Sequence, residues 1–294
     1  MKGGKFLKLN KYKFLKPYFL LLPALIVLIG LFLGGVISAL AQSFGYFPLI
    51  GLKNFTLSYF HEVWTDPQFL SALKFSLYTS LLSSLLAVII GVFLAYQLLK
   101  LAKDNSFISA IYKLPIIVPY LAAILLIFLL FTQSGILARI LYRLSIISDM
   151  TEFPKLIFDK YGIGIILTYV WKQIPFVTLV VLTVLKNINS CWEEVASNLG
   201  ASGWQIFWNI YIPLSMPSIA SAFIIIFAFS FGAFEVPYLL GPTFHRTLPV
   251  LAFQRYNSLD LSNRPYSMVI AVTLAAVSFV LILIYKKLIK LSNV

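Results

Sequence analysis

The chain predicts an all-α integral membrane protein: six transmembrane helices, with a helical elbow between the fourth and fifth spans. Three observations carry that prediction. Of 294 residues, 60% are hydrophobic and only 11% charged, where a soluble chain carries about 25% charged residues. Six apolar stretches cover residues 17–41, 70–99, 114–132, 161–186, 213–240 and 266–286. Each reaches the ~20 helical residues needed to cross a ~30 Å hydrocarbon core. Between the fourth and fifth stretches, residues 190–213 show two short helical stripes separated by a glycine.

Taken in order, residues 1–16 form a basic tail and 17–41 the first span. Ala39-Leu40-Ala41 imitates a signal-peptidase site, but the apolar run is far longer than the ~7–15 residues of a signal peptide, so it reads as an anchor. The third stretch, Leu114 to Thr132, carries no charge and reads as one uninterrupted span. Loop 133–160 holds Ile136, Leu137, Ile140, Leu141 and Leu144, with Arg139 and Arg143 opposite. That spacing predicts an amphipathic helix, either along the membrane surface or as a lid over the spans. Loop 241–265 is polar and proline-bounded, with His245, Arg246, Asp260 and Arg264; it reads as a docking loop or a solvated one. The 16% aromatic content suits the belts found at membrane interfaces.

Net charge is +13. The basic residues flank apolar runs, so they read as topology signals and not as a nucleic-acid surface. With an inner N-terminus, thirteen of the 23 Lys and Arg fall on the inner side and eight on the outer. Lys74 and Lys172 lie within spans. Both termini and the 187–212 elbow are therefore expected in the cytoplasm. Cys191, the one cysteine, permits no intramolecular disulfide.

In the elbow, Ser190 and Glu193 are spaced as a capping box, as are Ser202 and Gln205. Trp192, Val195, Ala196 and Leu199 form one apolar stripe; Trp204, Phe207, Trp208 and Tyr211 form another. Gly200 suits a left-handed stop between them. Pro213 is expected to end the second helix and open the fifth span.

This segment resembles the cytoplasmic signature of ATP-driven, binding-protein-dependent import permeases: Glu-Ala-Ala, three residues, Gly, nine residues, Ile, one residue, Leu-Pro. Here it reads Glu194-Val195-Ala196, Gly200, then Ile210-Tyr211-Ile212-Pro213. Val195 and Ile212 depart from the pattern but stay apolar. Gly51-Leu52-Lys53-Asn54-Phe55, followed by Asp66-Pro67-Gln68-Phe69 and Ala72-Leu73, resembles the segment that leads into the second span of the same family, departing at Phe75. The resemblance covers residues 17–290 and implies a permease core over 70–290. It also implies the partners: two ATPase subunits, a second permease (homologous or identical) and an extracytoplasmic solute-binding protein, all at a bacterial or archaeal plasma membrane. The elbow residues it singles out for coupling to the ATPase are Glu193, Glu194, Ala196, Gly200, Ala201, Ile210 and Pro213.

No phosphate-binding Gly-x-x-x-x-Gly-Lys-[Ser/Thr] loop occurs in the sequence. No His/Cys/carboxylate cluster has metal spacing, and no serine nucleophile elbow is present. The chain is thus expected to be no enzyme and to hold no cofactor, with ATP and magnesium on the partner ATPases. Charges inside a membrane are costly and cluster at functional positions. Lys172 and Gln173 precede Pro175, and Glu235 precedes Pro237. Each proline frees a helix carbonyl, a recurring arrangement at solute sites. Two readings fit: these side chains line a solute path, or Lys172 and Glu235 are structural, forming an ion pair or snorkelling to the interface. The stretch from Phe234 to Gly241 resembles permeases for polyamines, iron and phosphonates, and Gly241-Pro242-Thr243 those for sugars. The lone acid favours a cationic solute such as a polyamine, with sugars close behind, while Lys172 argues the other way. The alternative class is an ion-gradient-driven secondary transporter, for which Glu235 is the available coupling carboxylate.

Overall fold

The computed structural model describes residues 11–101, 106–188 and 190–292, apart from the side chains of residues 11–16, 19, 106–109, 190 and 284–292. Among the described residues the chain is helical; its only β feature is an isolated Phe47–Leu52 bridge. Six segments are long and apolar enough to cross a membrane: Leu20–Ser43, Pro67–Lys100, Tyr120–Arg143, Ile163–Asn187, Gly203–Gly232 and Leu261–Leu283.

Two long helices form the centre, α3 (Pro67–Lys100) and α7 (Ile163–Asn187). The start of α3 is set locally. Asp66 accepts a bond from the Gln68 amide, and Pro67 occupies the first turn, where a missing N–H costs nothing. At the start of α7, Asp159 accepts from the amides of Tyr161 and Ile163 at 2.8 and 2.7 Å. Along α3, Ser76, Ser80, Ser83, Ser84, Ala87, Gly91 and Ala95 are all buried. Lipid tails are as apolar as leucine, so helices in a membrane associate through close packing, which small residues permit. Three of the hydroxyls bond within the helix, Thr79 donating to the Phe75 carbonyl, Ser80 to that of Ser76 and Ser83 to that of Ser80, while Ser76 Oγ accepts the Leu248 amide. At Gly91 the approach is closest. A Cβ there would lie 2.8 Å from the Val177 Cβ, and the Gly91 carbonyl accepts the Thr178 hydroxyl.

Around this pair lie α1 (Lys11–Ser43), α10 (Ile212–Gly232) and α13 (Arg264–Ser292). The Leu20–Ser43 span buries none of its most apolar window against the rest of the chain. A helix apolar all round and uncovered by protein is one made for lipid or for another subunit.

The third stretch departs from the expected single span. It divides into α4 (Ser106–Ile117) and α5 (Tyr120–Phe131), with Pro119 extended between them (φ −59°, ψ 151°). Proline has no N–H to continue the helix, and it drives the preceding residue out of helical conformation. The fifth stretch also divides. α10 stops at Gly232, Ala233 is extended, and α11 (Glu235–Leu240) follows. Pro237 cannot donate to the Ala233 carbonyl, which is where the break falls. Pro175, by contrast, lies within an unbroken α7.

Pro213 does not end the elbow helix as expected. α9 (Gly203–Ile206), a π-turn at Phe207–Tyr211 and α10 run on as one helix. The Ile212 amide reaches back to the Phe207 carbonyl, and this wider turn carries the backbone past the proline. The amphipathic helix lies where its spacing put it, as α6 (Ile136–Arg143). The 241–265 loop is more ordered than a solvated loop. It contains α12 (Leu248–Tyr256), which buries Leu248 and Leu251 together with Val63 of α2 (Ser58–Thr65) and Val269 of α13. There Arg255 pairs with Asp66, and the Tyr266 hydroxyl donates to Glu62.

The Gly91 crossing gives a contrast to measure. Gly91→Leu is expected to destabilise the detergent-solubilised permease by about 1–3 kcal/mol, the usual cost of overpacking. Gly34→Leu, where a Cβ meets nothing within 4 Å, is expected to leave the melting temperature unchanged.

Candidate functional site: the elbow and the membrane cavity

The elbow opens with α8 (Ser190–Asn198). The side chain of Ser190, and with it the first expected capping box, lies outside the described residues. Gly200 is left-handed, at φ +84°. Its amide donates to the Ser197 carbonyl and that of Ala201 to the Ala196 carbonyl, both at 3.0 Å. These bonds satisfy the exposed helix end and turn the chain sharply. A Cβ on Gly200 meets nothing within 4 Å, so its requirement is one of backbone conformation alone. The second capping box is complete. The Ser202 amide donates to Gln205 Oε1 at 2.7 Å, and the Gln205 amide to Ser202 Oγ at 3.3 Å.

The aromatic stripe divides between two tasks. Phe207 and Tyr211 are buried in a cluster with Tyr96, Val92 and Ala95 of α3 and Leu185 of α7. The Tyr96 ring lies 4.6 Å from that of Phe207 and 5.7 Å from that of Tyr211. The Tyr96 hydroxyl donates to the Gly203 carbonyl at 2.7 Å, and the Lys100 ammonium sits 4.5 Å above the Tyr96 ring. Trp204 and Trp208 stay exposed beside Val88, Ile89 and Phe93. The elbow is thereby fixed to the second span as well as to the fifth. Tyr96 and Lys100 were not singled out from sequence; an aromatic and a lysine at one helical turn near a span end is the pattern that could have marked them.

The remaining elbow residues fall in two groups. Glu193 is half-buried and accepts the Tyr211 hydroxyl at 2.5 Å, so it braces the two elbow helices against each other. Ala196, Ala201 and Ile210 lie against the buried cluster. Glu194 is exposed, as is Pro213 at the start of α10. From the first stripe, Trp192, Val195 and Leu199 are exposed, Leu199 by 84%. This short helix thus leaves an apolar face uncovered next to an exposed carboxylate.

Within the membrane, Lys172 and Gln173 are buried and line a cavity of about 260 Å³ together with Tyr120, Phe176, Ile226 and Phe229. The Lys172 ammonium donates to the carbonyls of Pro115 (2.6 Å) and Val118 (2.5 Å) and lies 4.6 Å above the Tyr120 ring. It therefore caps the broken end of α4, where helix carbonyls lack partners and a cation is favoured. Gln173 donates its amide to Ser230 of α10 at 2.5 Å. Glu235 is exposed in the first turn of α11, within electrostatic reach of the Tyr120 and Tyr169 hydroxyls. Lys172 and Glu235 are not brought together as an ion pair; lysine meets carbonyls in place of a carboxylate.

A family described as "Binding-protein-dependent transport system inner membrane component" matches residues 87–291. The chain belongs to that family. It is a multi-pass permease subunit of an ABC importer, which sets aside the gradient-driven alternative. Among its relatives, the probable sulfate transport system permease protein cysT of Marchantia polymorpha is 27% identical over 94% of this chain and 91% of its own. The molybdate/tungstate transport system permease protein WtpB of Pyrococcus abyssi is 30% identical over 70% of this chain and 74% of its own. The fold is that of a solved bacterial ABC transporter involved in the import of the acidic polysaccharide alginate, with a TM-score of 0.75 and 20% identity, covering 95% of this chain and 98% of that one.

Left-handed backbone costs a residue with a Cβ about 1–2 kcal/mol, and a β-branched residue resists it most. Gly200→Val is expected to leave the permease inserted at parental amounts while solute uptake falls at least tenfold. Gly200→Asn, which tolerates this conformation, is expected to keep most uptake. Paired immunoblots and uptake assays in the same membranes check both.

Proposed function

We propose that this permease carries an anionic solute, handed over by an extracytoplasmic binding protein and moved by two cytoplasmic ATPases seated on the elbows of this chain and a second permease. The observation that carries the anionic reading is Lys172. It is a buried cation, among the described residues no carboxylate pairs with it, and it borders the membrane cavity. Carbonyl dipoles hold it in place but leave its charge unneutralised, so an anion entering the cavity meets a favourable field. Relatives named for sulfate and for molybdate or tungstate support the same reading, as does a solved neighbour named for an acidic polysaccharide. A polyamine would rest on Glu235, which lies on the exposed surface of α11.

The drive would enter at Glu194 and the face made by Trp192, Val195 and Leu199. ATP and magnesium would bind on the ATPases. Their closure would displace the elbow, and the buried Tyr96–Phe207–Tyr211 cluster would pass that displacement to α3 and α10. Rigid-body movement of packed elements around a fixed site is an established way to switch access. The elbow and both termini would lie in the cytoplasm, as the basic residues indicate.

Complexes reconstituted in proteoliposomes test the solute class. Parental complexes should take up a radiolabelled oxyanion, sulfate or molybdate, or a sugar acid, in an ATP-dependent way. Lys172→Gln should lower that uptake at least about tenfold, a floor set well below the ~4 kcal/mol of a charge pair at about 4 Å and an effective dielectric of about 20, while ATPase subunits still assemble. Parental uptake of spermidine, undiminished by Lys172→Gln, would overturn the anionic assignment.

A further inference from the structure

Helix α6 begins at Ile136, directly after the uncharged α5 ends at Phe131. That places it at the level of the membrane interface, at the end of the bundle opposite the elbow. Ile136, Ile140 and Leu144 follow one another at four-residue spacing, and all three are exposed. Arg139 and Arg143 form a neighbouring stripe at the same spacing. Like charges four residues apart on a helix repel each other. Among the described residues neither arginine forms a salt bridge; the nearby Asp149 accepts from the amide and hydroxyl of Thr151, and Glu152 from the Ser148 amide. The Arg139 Nε donates to the Ser134 carbonyl, which fixes the guanidinium, and among the described residues its other N–H groups have no hydrogen bond. A cavity of about 440 Å³ opens between the stripes, lined by Ile136, Arg139, Ile140, Tyr142, Arg143 and Met150.

We propose that this cavity binds one anionic phospholipid. Its phosphate would lie between Arg139 and Arg143, and an acyl chain would run along Ile136 and Ile140. The two guanidinium forks suit phosphate oxygens, and the apolar wall belongs beside a chain that stays in the bilayer. A free anion would leave that wall wet, which is why a lipid is the assigned occupant. The site is separate from the elbow and from Lys172, so it stands whatever the transported solute.

Native mass spectrometry of the full permease–ATPase complex tests it. Phosphatidylglycerol and phosphatidylcholine with the same acyl chains are added at equal concentration. One arginine near a membrane surface is worth about fivefold in anionic-lipid binding. The parental complex should retain one phosphatidylglycerol at least about tenfold over phosphatidylcholine, and Arg139→Gln/Arg143→Gln should bring that ratio within about twofold of unity. Arg143→Gln alone removes a side chain that makes no hydrogen bond among the described residues, and should give an intermediate ratio at an unchanged melting temperature. An unchanged ratio in both variants would overturn the site. Displacement of the lipid by millimolar inorganic phosphate would overturn the lipid assignment in favour of a free-anion site. Loss of binding-protein capture with an unchanged lipid ratio would also overturn it, by making α6 a protein-docking helix.

Discussion

Tyr96 stands where the second span, the elbow and the start of the fifth span meet. Its hydroxyl holds the Gly203 carbonyl, and its ring is enclosed by Phe207 and Tyr211. Without that cluster the elbow would hang from two single connections, at the end of α7 and the start of α10. With it, the elbow is joined to α3 as well, and α3 is itself locked to α7 through the small-residue crossing at Gly91. Under the coupling proposed above, a push on the elbow would reach three spans together. Interior packing is dense and incompressible enough to transmit displacement in place of absorbing it.

The π-turn at Phe207–Tyr211 belongs to the same arrangement. A proline inside a continuous helix removes one backbone bond and crowds the preceding turn. Widening that turn accommodates Pro213 while keeping elbow and span in one rod. It also turns Phe207 and Tyr211 inward, where Tyr211 reaches Glu193 across the elbow. The elbow is thus braced internally by Glu193, while the neighbouring Glu194 points out. Two adjacent carboxylates of similar appearance in sequence have different surroundings, decided by which one a tyrosine can reach.

Much of this was legible in the sequence, because insertion in a membrane depends on apolar length and elbow geometry on a few local signals. The six spans, the left-handed Gly200, the Ser202–Gln205 box and the amphipathic helix before Arg143 all rest on short-range rules. What was not legible depended on contacts far apart in the chain. The break at Pro119 could be suspected from the proline, but its consequence, Lys172 capping the freed carbonyls, needed α4 and α7 side by side. The ion-pair alternative for Lys172 and Glu235 could not be decided for the same reason: sequence offers two opposite charges but not the carbonyls that Lys172 meets. The spacing of Tyr96 and Lys100 near a span end marks them as a pair, but the partner of the Tyr96 hydroxyl, a backbone carbonyl 107 positions away, has no local signal. The order within 241–265 was hidden by its polar composition, since the apolar side chains that α12 buries are few: Leu248, Val250 and Leu251.

The central claim is that the elbow moves as one body with the second span. Spin labels on Asn198 in the elbow and on the exposed Ile89 of α3, in the assembled transporter, measure this by pulsed electron resonance with and without ATP and vanadate. The account predicts one narrow distance distribution that keeps its position and width throughout the cycle. A distribution that shifts by several ångströms or splits on ATP binding would show the elbow hinging freely against α3, and would contradict it.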